Sequence, residues 1–361
     1  MLTETASIGQ ANLRNALTYA PNHTRLTTTR VLDERMTGCF ACPKKGSDPS
    51  ACDHCTDRVY LTTVQKVYIN ERAKYGAPSS PMKRTACLLF LYLHFQNPDH
   101  NGLITYFDAE DAASYLGVTA RTIKANLLTL QRNGYVSFRG TDIPYHFDVF
   151  LTGYQDYFLP AKKGGRGYVI FSKELFHHAL SCRTIMELRV FLRSYLDASD
   201  MMRKNGTIVT RSFRDIKRQL PAYCPVGKIK AIMNGDVFSS VFEVLSEKRK
   251  TTMRLRPEYG QTKLRDTLVS ECRSSVEALI NDLNNARTEK DANAAPLHVS
   301  VQDLEDTAKI ALKYPVKAVT LAIREIFRDY VETRDHRWEI ESFGALVRSY
   351  TSQLVRFEAA A

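Results

Sequence analysis

Apolar and polar positions between Arg84 and Leu151 follow a definite order. A dense apolar block, "ACLLFLYLHF" from Ala86 to Phe95, gives way to a polar loop and then to "GLITYFDAEDAASYLGVTARTIKANLLTLQRNGYVSF". Asp108 caps a helix that carries Ala112, Ala113 and Leu116 on one face; Gly117 permits a sharp turn, and Thr119 caps a second helix. Ile123, Leu127 and Leu130 recur there at spacings of four and three, which predicts one buried face. The opposite face carries Thr119, Arg121, Thr122, Lys124 and Asn126. "NGYVSF" then stops the helix and starts a β-hairpin whose return strand falls in "YHFDVFLTGY".

The same order recurs about a hundred residues later. "TIMELRVFLRSYLDASDMMRKNGTIVTRSFRDIKRQLPAYCPVGKIKAIM" repeats apolar helix, polar loop, short alternating stretch ("NGTIVT" against "NGLITY"), capped helix, turn and second helix. Ser212 and Asp215 form a helix-start signal, Ile216 and Leu220 point inward, and Pro225 suits the first turn of the following helix. Lys228 and Lys230 face outward. "VFEVLSEKRKTTMRLRPEYG" reads as two short strands around Lys248, Arg249 and Lys250, with Arg254 and Arg256 on the return. So many cations at one hairpin tip repel one another unless an anion visits.

Other segments are less regular. "YLTTVQKVYINERAKYGA" predicts a helix or a strand followed by a helix, and "LPAKKGGRGYVIF" a flexible connector able to touch a phosphate backbone. His177 and His178 are adjacent on a helix, point in different directions, and do not make a metal pair. "TKLRDTLVSECRSSVEALINDL" is an amphipathic helix, and "NNARTEKDANAAPLHVS" after it reads as a linker. Beyond Ser300 and Asp303, three helical segments predict a small bundle, with Tyr314, Phe327, Tyr330, Trp338, Phe343 and Tyr350 as core material.

Composition adds a partner class. The 361 residues are 44% apolar, enough for two or three domains with real cores. The balance of 50 Lys plus Arg against 39 Asp plus Glu gives a formal charge of +11, which points to a polyanion such as nucleic acid. The longest apolar run falls short of the roughly 20 residues that span a bilayer, and the N-terminus lacks the basic start and apolar core of a signal peptide, so a cytoplasmic location is expected.

Four of the eight cysteines stand in two Cys-x-x-Cys pairs, Cys39 with Cys42 and Cys52 with Cys55. Two such turns supply the four thiolates that tetrahedral zinc prefers, so a structural Zn2+ knuckle is expected in place of disulfides. Pro43, Lys44, Lys45, Gly46, Ser47, Asp48, Pro49 and Ser50 fill the loop with turn formers, and four closed ligands leave no position for catalysis. No His-x-His pair or carboxylate cluster beside a tyrosine stands out, so an enzyme is not expected.

"YLGVTARTIKANLLTLQRNGYV" resembles the helix-turn-helix core of winged-helix DNA-binding domains. Its repetition over roughly residues 60 to 260 resembles the initiator proteins of plasmids and other mobile elements, which grip origin DNA with two such domains. The C-terminal helices, with "FGALVRSYTSQLV", faintly resemble the helicase-contacting module of DnaD-like primosomal proteins, without that family's tyrosine-isoleucine-tryptophan ending. The resemblance implies a mainly α chain with small β-hairpin wings, of α+β class. Its expected divisions are 1–58 with the zinc knuckle, 59–160 and 161–262 as tandem winged helices, 263–298 as helix and linker, and 299–361 as helical module. It implies a sequence-specific binder of double-stranded DNA, nucleoid- or plasmid-associated. Thr119, Arg121, Thr122, Lys124, Asn126, Lys228 and Lys230 would be on bases, and Arg139, Lys248, Arg249 and Lys250 on phosphates. A helicase or other replication protein is the expected further partner, and a homo-oligomer is compatible. A transcriptional regulator or a mobile-element adaptor would use the same domains.

Overall fold

The computed structural model describes residues 2–18, 23–32, 60–69, 82–165, 167–203, 208–218, 220, 224–291, 296–332 and 342–357. Among them the chain is mainly helical with small antiparallel sheets, as the α+β expectation has it. It divides into a larger unit, residues 1–19 and 77–361, and a smaller one, residues 20–76.

The larger unit opens with a strand, β1 (Thr5–Gly9), that runs directly into a helix, α1 (Gln10–Leu17). Of the smaller unit the structure describes two antiparallel ten-residue strands, β2 (His23–Leu32) and β3 (Tyr60–Ile69), with His23 opposite Ile69 and Leu32 opposite Tyr60. "YLTTVQKVYI" is therefore a strand. Cys39, Cys42, Cys52 and Cys55 fall between the two strands and outside the described residues.

Back in the larger unit, α2 (Arg84–His94) is buried over nearly its whole length, as a run of leucines and aromatics without polar interruption requires. Then come β4 (Leu103–Asp108), α3 (Ala109–Leu116), α4 (Ala120–Arg132), β5 (Val136–Gly140) and β6 (His146–Leu151). β6 lies between β4 and β5. The caps are the ones the sequence predicts. Asp108 accepts from the amides of Glu110 and Asp111, Thr119 accepts from that of Thr122, and Gly117 closes α3 at φ 65°. Ile123, Leu127 and Leu130 are fully buried against α2 and α3.

A second copy follows. It begins, like the first, with a strand running into a helix: β7 (Tyr168–Ser172) and α5 (Lys173–Ser181). The long α6 (Ile185–Arg203) stands where α2 stood, followed by β8 (Ile208–Ser212), α7 (Phe213–Arg218), α8 (Val226–Met233), the short α9 (Asp236–Ser239), β9 (Phe242–Ser246) and β10 (Lys250–Leu255). The sheet again has its last strand in the middle, β8-β10-β9. The Ser212 hydroxyl caps α7 as expected, accepting from the Asp215 amide at 3.1 Å and donating to the Asp215 carboxylate at 2.6 Å.

The copies join through their leading strands. β1 pairs antiparallel with β7, Thr5 opposite Ser172 and Gly9 opposite Tyr168. α1 then packs on α6, and α5 on α2. Each short helix gives carbonyls near its C-terminus to an arginine of the other copy. Arg84 donates to Leu180 O and Cys182 O at 2.5 Å, and Arg193 to Arg14 O at 3.2 Å and the Thr18 hydroxyl at 2.6 Å. Arg14 is also held by Asp197 and Asp200, and Arg211 by Asp197. Burial, with Arg14, Arg211 and Arg189 nearby, pushes the Arg193 guanidinium down to about 10.

A thirty-residue helix, α10 (Gln261–Lys290), covers this joint. The Gln261 amide pairs with both backbone groups of Ile170 at 3.0 Å, and the Glu271 carboxylate accepts from the amides of Glu4 and Thr5. Side chains of α10 thus bond to each outer edge of the two-stranded ribbon, at Ile170 and at Thr5. α10 runs through "NNARTEK", so the linker expected there is confined to the residues after Lys290: a polar stretch extends a helix once packing of Leu264, Leu268, Val276 and Ile280 has nucleated it. α11 (Val301–Ala308), α12 (Val316–Ile326) and α13 (Phe343–Phe357) complete a helical layer in which Phe327 and Phe343 are buried and Tyr314 and Tyr350 half-buried. Tyr330 and Trp338 lie outside what the structure describes of side chains.

Candidate nucleic-acid interface

The outward face of α4 follows from the burial of its inward one. With Ile123, Leu127 and Leu130 fixed inside, Arg121, Lys124, Ala125, Leu128 and Gln131 are exposed. Arg121 and Lys124 pair with no acidic group among the described residues. The other three expected base readers are occupied locally. The Thr119 hydroxyl caps the helix and lies 2.9 Å from that of Thr122, and the Asn126 amide donates to Thr122 O at 2.8 Å. Their free capacity is smaller than their residue types suggest. The helix also exposes Leu128 at 39%, which the polar pattern concealed.

The first hairpin differs from a simple basic finger. Arg139 stands opposite Asp148 in the ladder and donates to its carboxylate at 3.0 and 2.9 Å. The Tyr106 amide also donates to Asp148, at 3.2 Å, and with Arg139 it holds that carboxyl below the usual range. Arg139 therefore already has an anionic partner where it lies. The tip, residues 141–145, is tied down by its own backbone: Thr141 N donates to His146 O and His146 N to Ile143 O, both at 3.1 Å. It presents Ile143 and Tyr145 at 49% and 43% exposure. Tyr145 sits at φ 58° and Tyr106 at φ 53°, a region L-residues seldom adopt, and β4 changes register between Ile104 and Phe107. These apolar outward groups were not expected from the sequence.

The second copy is more cationic. Its turn consists of Lys248 and Arg249, with Glu247 N bonded to Lys250 O at 2.9 Å. Lys250 approaches Glu247 at 3.5 Å, whereas Lys248 and Arg249 are exposed without an ion pair among the described residues. Arg249 O accepts from Phe213 N at 3.1 Å, which ties the tip to the start of α7. On α8, Lys228 is exposed beside a cavity of about 350 Å³ that Cys182, Arg183, Glu187, Ile232 and Phe238 help to line. Lys230 lies with its ammonium 5.0 Å from the Phe213 ring centre, which uses part of its charge on a cation–π contact. Arg214 and Lys217, exposed on α7, extend the cationic surface and were not singled out from the sequence.

Among the described residues no group of three or more His, Cys, Asp or Glu could hold a metal ion, and the four-cysteine set lies outside them. The described Cys87, Cys182, Cys224 and Cys272 are buried and free. Burial pushes the thiols of Cys87, Cys182 and Cys272 up to about 12, which keeps them unreactive. No described helix is long and apolar enough to cross a membrane. No protein-family model, curated protein or solved structure matches the chain.

Proposed function

We propose that the chain is a sequence-specific binder of double-stranded DNA with two winged-helix units, working as a replication initiator of a plasmid or other mobile element. The observation that supports this most is one order of elements built twice, with the same three-stranded sheet order, each copy exposing a cationic helix face or hairpin. A helix of this kind enters a major groove, where Arg121 and Lys124 can reach base edges from the first copy and Lys228 from the second. Lys248 and Arg249 hold phosphates beside it. The initiator role rests on the resemblance of the tandem pattern and on the helical layer after α10, which offers a surface for a helicase or other replication protein. Four thiolates between β2 and β3, whose paired ends bring Leu32 opposite Tyr60, suit a structural Zn2+ that staples the intervening loop.

The test is immunoprecipitation of the protein from its host with sequencing of the bound DNA, followed by binding of the recovered site at two salt concentrations. Iterated sites within an origin and a steep salt dependence are expected. A single promoter site would transfer the reading to a transcriptional regulator, and absence of enrichment would remove DNA as the ligand.

A further inference from the structure

The two copies part company just after their second helices. Asn133 ends α4 and Asn234 ends α8 in one conformation, φ −91° and ψ 0° against φ −94° and ψ 1°. Tyr135 O accepts from Thr152 N and Val241 O from Arg256 N, both at 3.0 Å, so Tyr135 and Val241 are equivalent positions at the entry to the sheet. Between Asn133 and Tyr135 the first copy has Gly134 alone, at φ 74°, whereas the second has residues 235–240 between Asn234 and Val241. The added residues form α9. They also wall the cavity of about 350 Å³ beside α8, whose other sides are the end of α5 and the start of α6.

The apolar part of its lining is Cys182, Phe191 and Phe238, all buried, with Ile232 and Val237 half-buried beside them. These walls are held in place from several directions. Arg84 of the first copy donates to Cys182 O at 2.5 Å, the Ser240 hydroxyl to Val237 O at 2.9 Å and Arg256 to Ser239 O at 3.2 Å. The Phe191 and Phe238 rings meet edge to face with centres 6.4 Å apart. A preformed, mostly apolar cavity of this size falls within the range of about 300–1,000 Å³ that small-molecule sites occupy. Its rim carries charge. Of the two acids in the lining, Glu187 gives one oxygen to the amides of Arg183 and Thr184, at 2.6 and 3.3 Å, and Asp236 is exposed in the first turn of α9. Neither meets the Arg183 guanidinium or the Lys228 ammonium, and both cations are exposed without an ion pair among the described residues. We infer that this cavity binds a small amphipathic carboxylate, with an aromatic or branched apolar body inside and its acid group on Arg183 and Lys228. The bound carboxylate occupies a cation that α8 otherwise offers to DNA, so the ligand opposes DNA binding by the second copy. That consequence, unlike the site itself, rests on the DNA-binding reading above. By linkage, DNA weakens the ligand by the same factor.

The probe is anilinonaphthalene sulfonate, an aryl anion that fluoresces in apolar sites, titrated into the full chain. It is then displaced by phenylpropionate or by phenylpropanamide, which has the same shape without the charge. One saturable probe per chain is expected, displaced by the acid at about tenfold or more lower concentration than by the amide. Arg183→Gln with Lys228→Gln should weaken the acid about tenfold or more and leave the amide unchanged. Ala231→Phe, which enlarges an exposed side chain of the lining, should weaken both. Arg121→Gln with Lys124→Gln removes the same two charges from the first copy and should change neither. Equal displacement by acid and amide on the unaltered chain, a loss as large in the first-copy variant as in the second, or no saturable probe would overturn the inference. The comparison of acid with amide depends on no substitution. In fluorescence anisotropy on a duplex selected from a random pool, phenylpropionate should weaken binding by the unaltered chain and have little effect on the Ala231→Phe chain. Equal DNA affinity with and without saturating phenylpropionate would sink the antagonism. If no duplex is selected, the DNA-binding reading fails, and the probe titration still decides the site.

Discussion

Removing the side chains of Lys248 and Arg249 should lower the salt dependence of DNA binding by a calculable amount. Four cations were expected on phosphates, but among the described residues two of them have no ion pair: Arg139 is bound by Asp148 at 2.9 Å and Lys250 approaches Glu247 at 3.5 Å, whereas Lys248 and Arg249 meet no acidic group. Each cation that displaces a counterion contributes about 0.9 to the slope of log affinity against log salt, so Lys248→Ala with Arg249→Ala should reduce the slope by about 1.8. Between 50 and 200 mM salt, a fourfold change, this corresponds to about a 12-fold smaller loss of affinity. The hairpin should survive the change, because the tip is joined to α7 through the backbone carbonyl of Arg249. Arg139→Ala alone should shift the slope by well under one contact, since its charge is already compensated. Fluorescence anisotropy on a labelled duplex at five salt concentrations measures all three proteins. An unchanged slope in the double variant, or a full 0.9 lost with Arg139→Ala, would refute this assignment of free and occupied charge.

Three further outcomes are expected. Arg121→Ala with Lys124→Ala should weaken binding to a specific site by about 1–3 kcal/mol per lost base contact and affect random DNA far less; equal losses on both in competition assays would oppose a base-reading role. Cys39→Ser with Cys52→Ser should release one zinc per chain, seen by elemental analysis, while the thermal transition of the larger unit stays in place; metal-free wild-type protein would end the zinc reading. His94 is fully buried, 2.8 Å from Phe90 O, and burial lowers it to about 4 from the ordinary 6.5. Between those values the unfolded chain binds a proton that the folded chain refuses, so stability is complete above about pH 6.5 and falls toward pH 4 by at most about 3 kcal/mol. His94→Gln should remove that part of the fall in urea titrations at pH 7 and pH 5, and identical pH dependence in both proteins would contradict it.

The elements that the sequence determined alone are those encoded within one or two turns of chain. Asp108, Thr119, Ser212 and Ser300 cap helices because the amides they satisfy lie two or three residues away, and Ile123, Leu127 and Leu130 mark a buried face because helical geometry places them on one side. The repeat was legible for the same reason, as a recurrence of local signals. Tertiary structure alone decided the rest. β1 and α1 lead the first copy, which shows only when Thr5 meets Ser172 across more than 160 residues. Arg139 is expected on phosphate until ladder register sets Asp148 opposite it, and Lys230 is expected on a base until folding brings Phe213 beneath it. The polar "NNARTEK" becomes helix because α10 is already anchored at Gln261 and Glu271. Each of these depends on which distant group arrives at a given position, and a charged or apolar side chain carries no local mark of its eventual neighbour. Strand register and packing supply that neighbour, and with it the division between charges held by the protein and charges left for a partner.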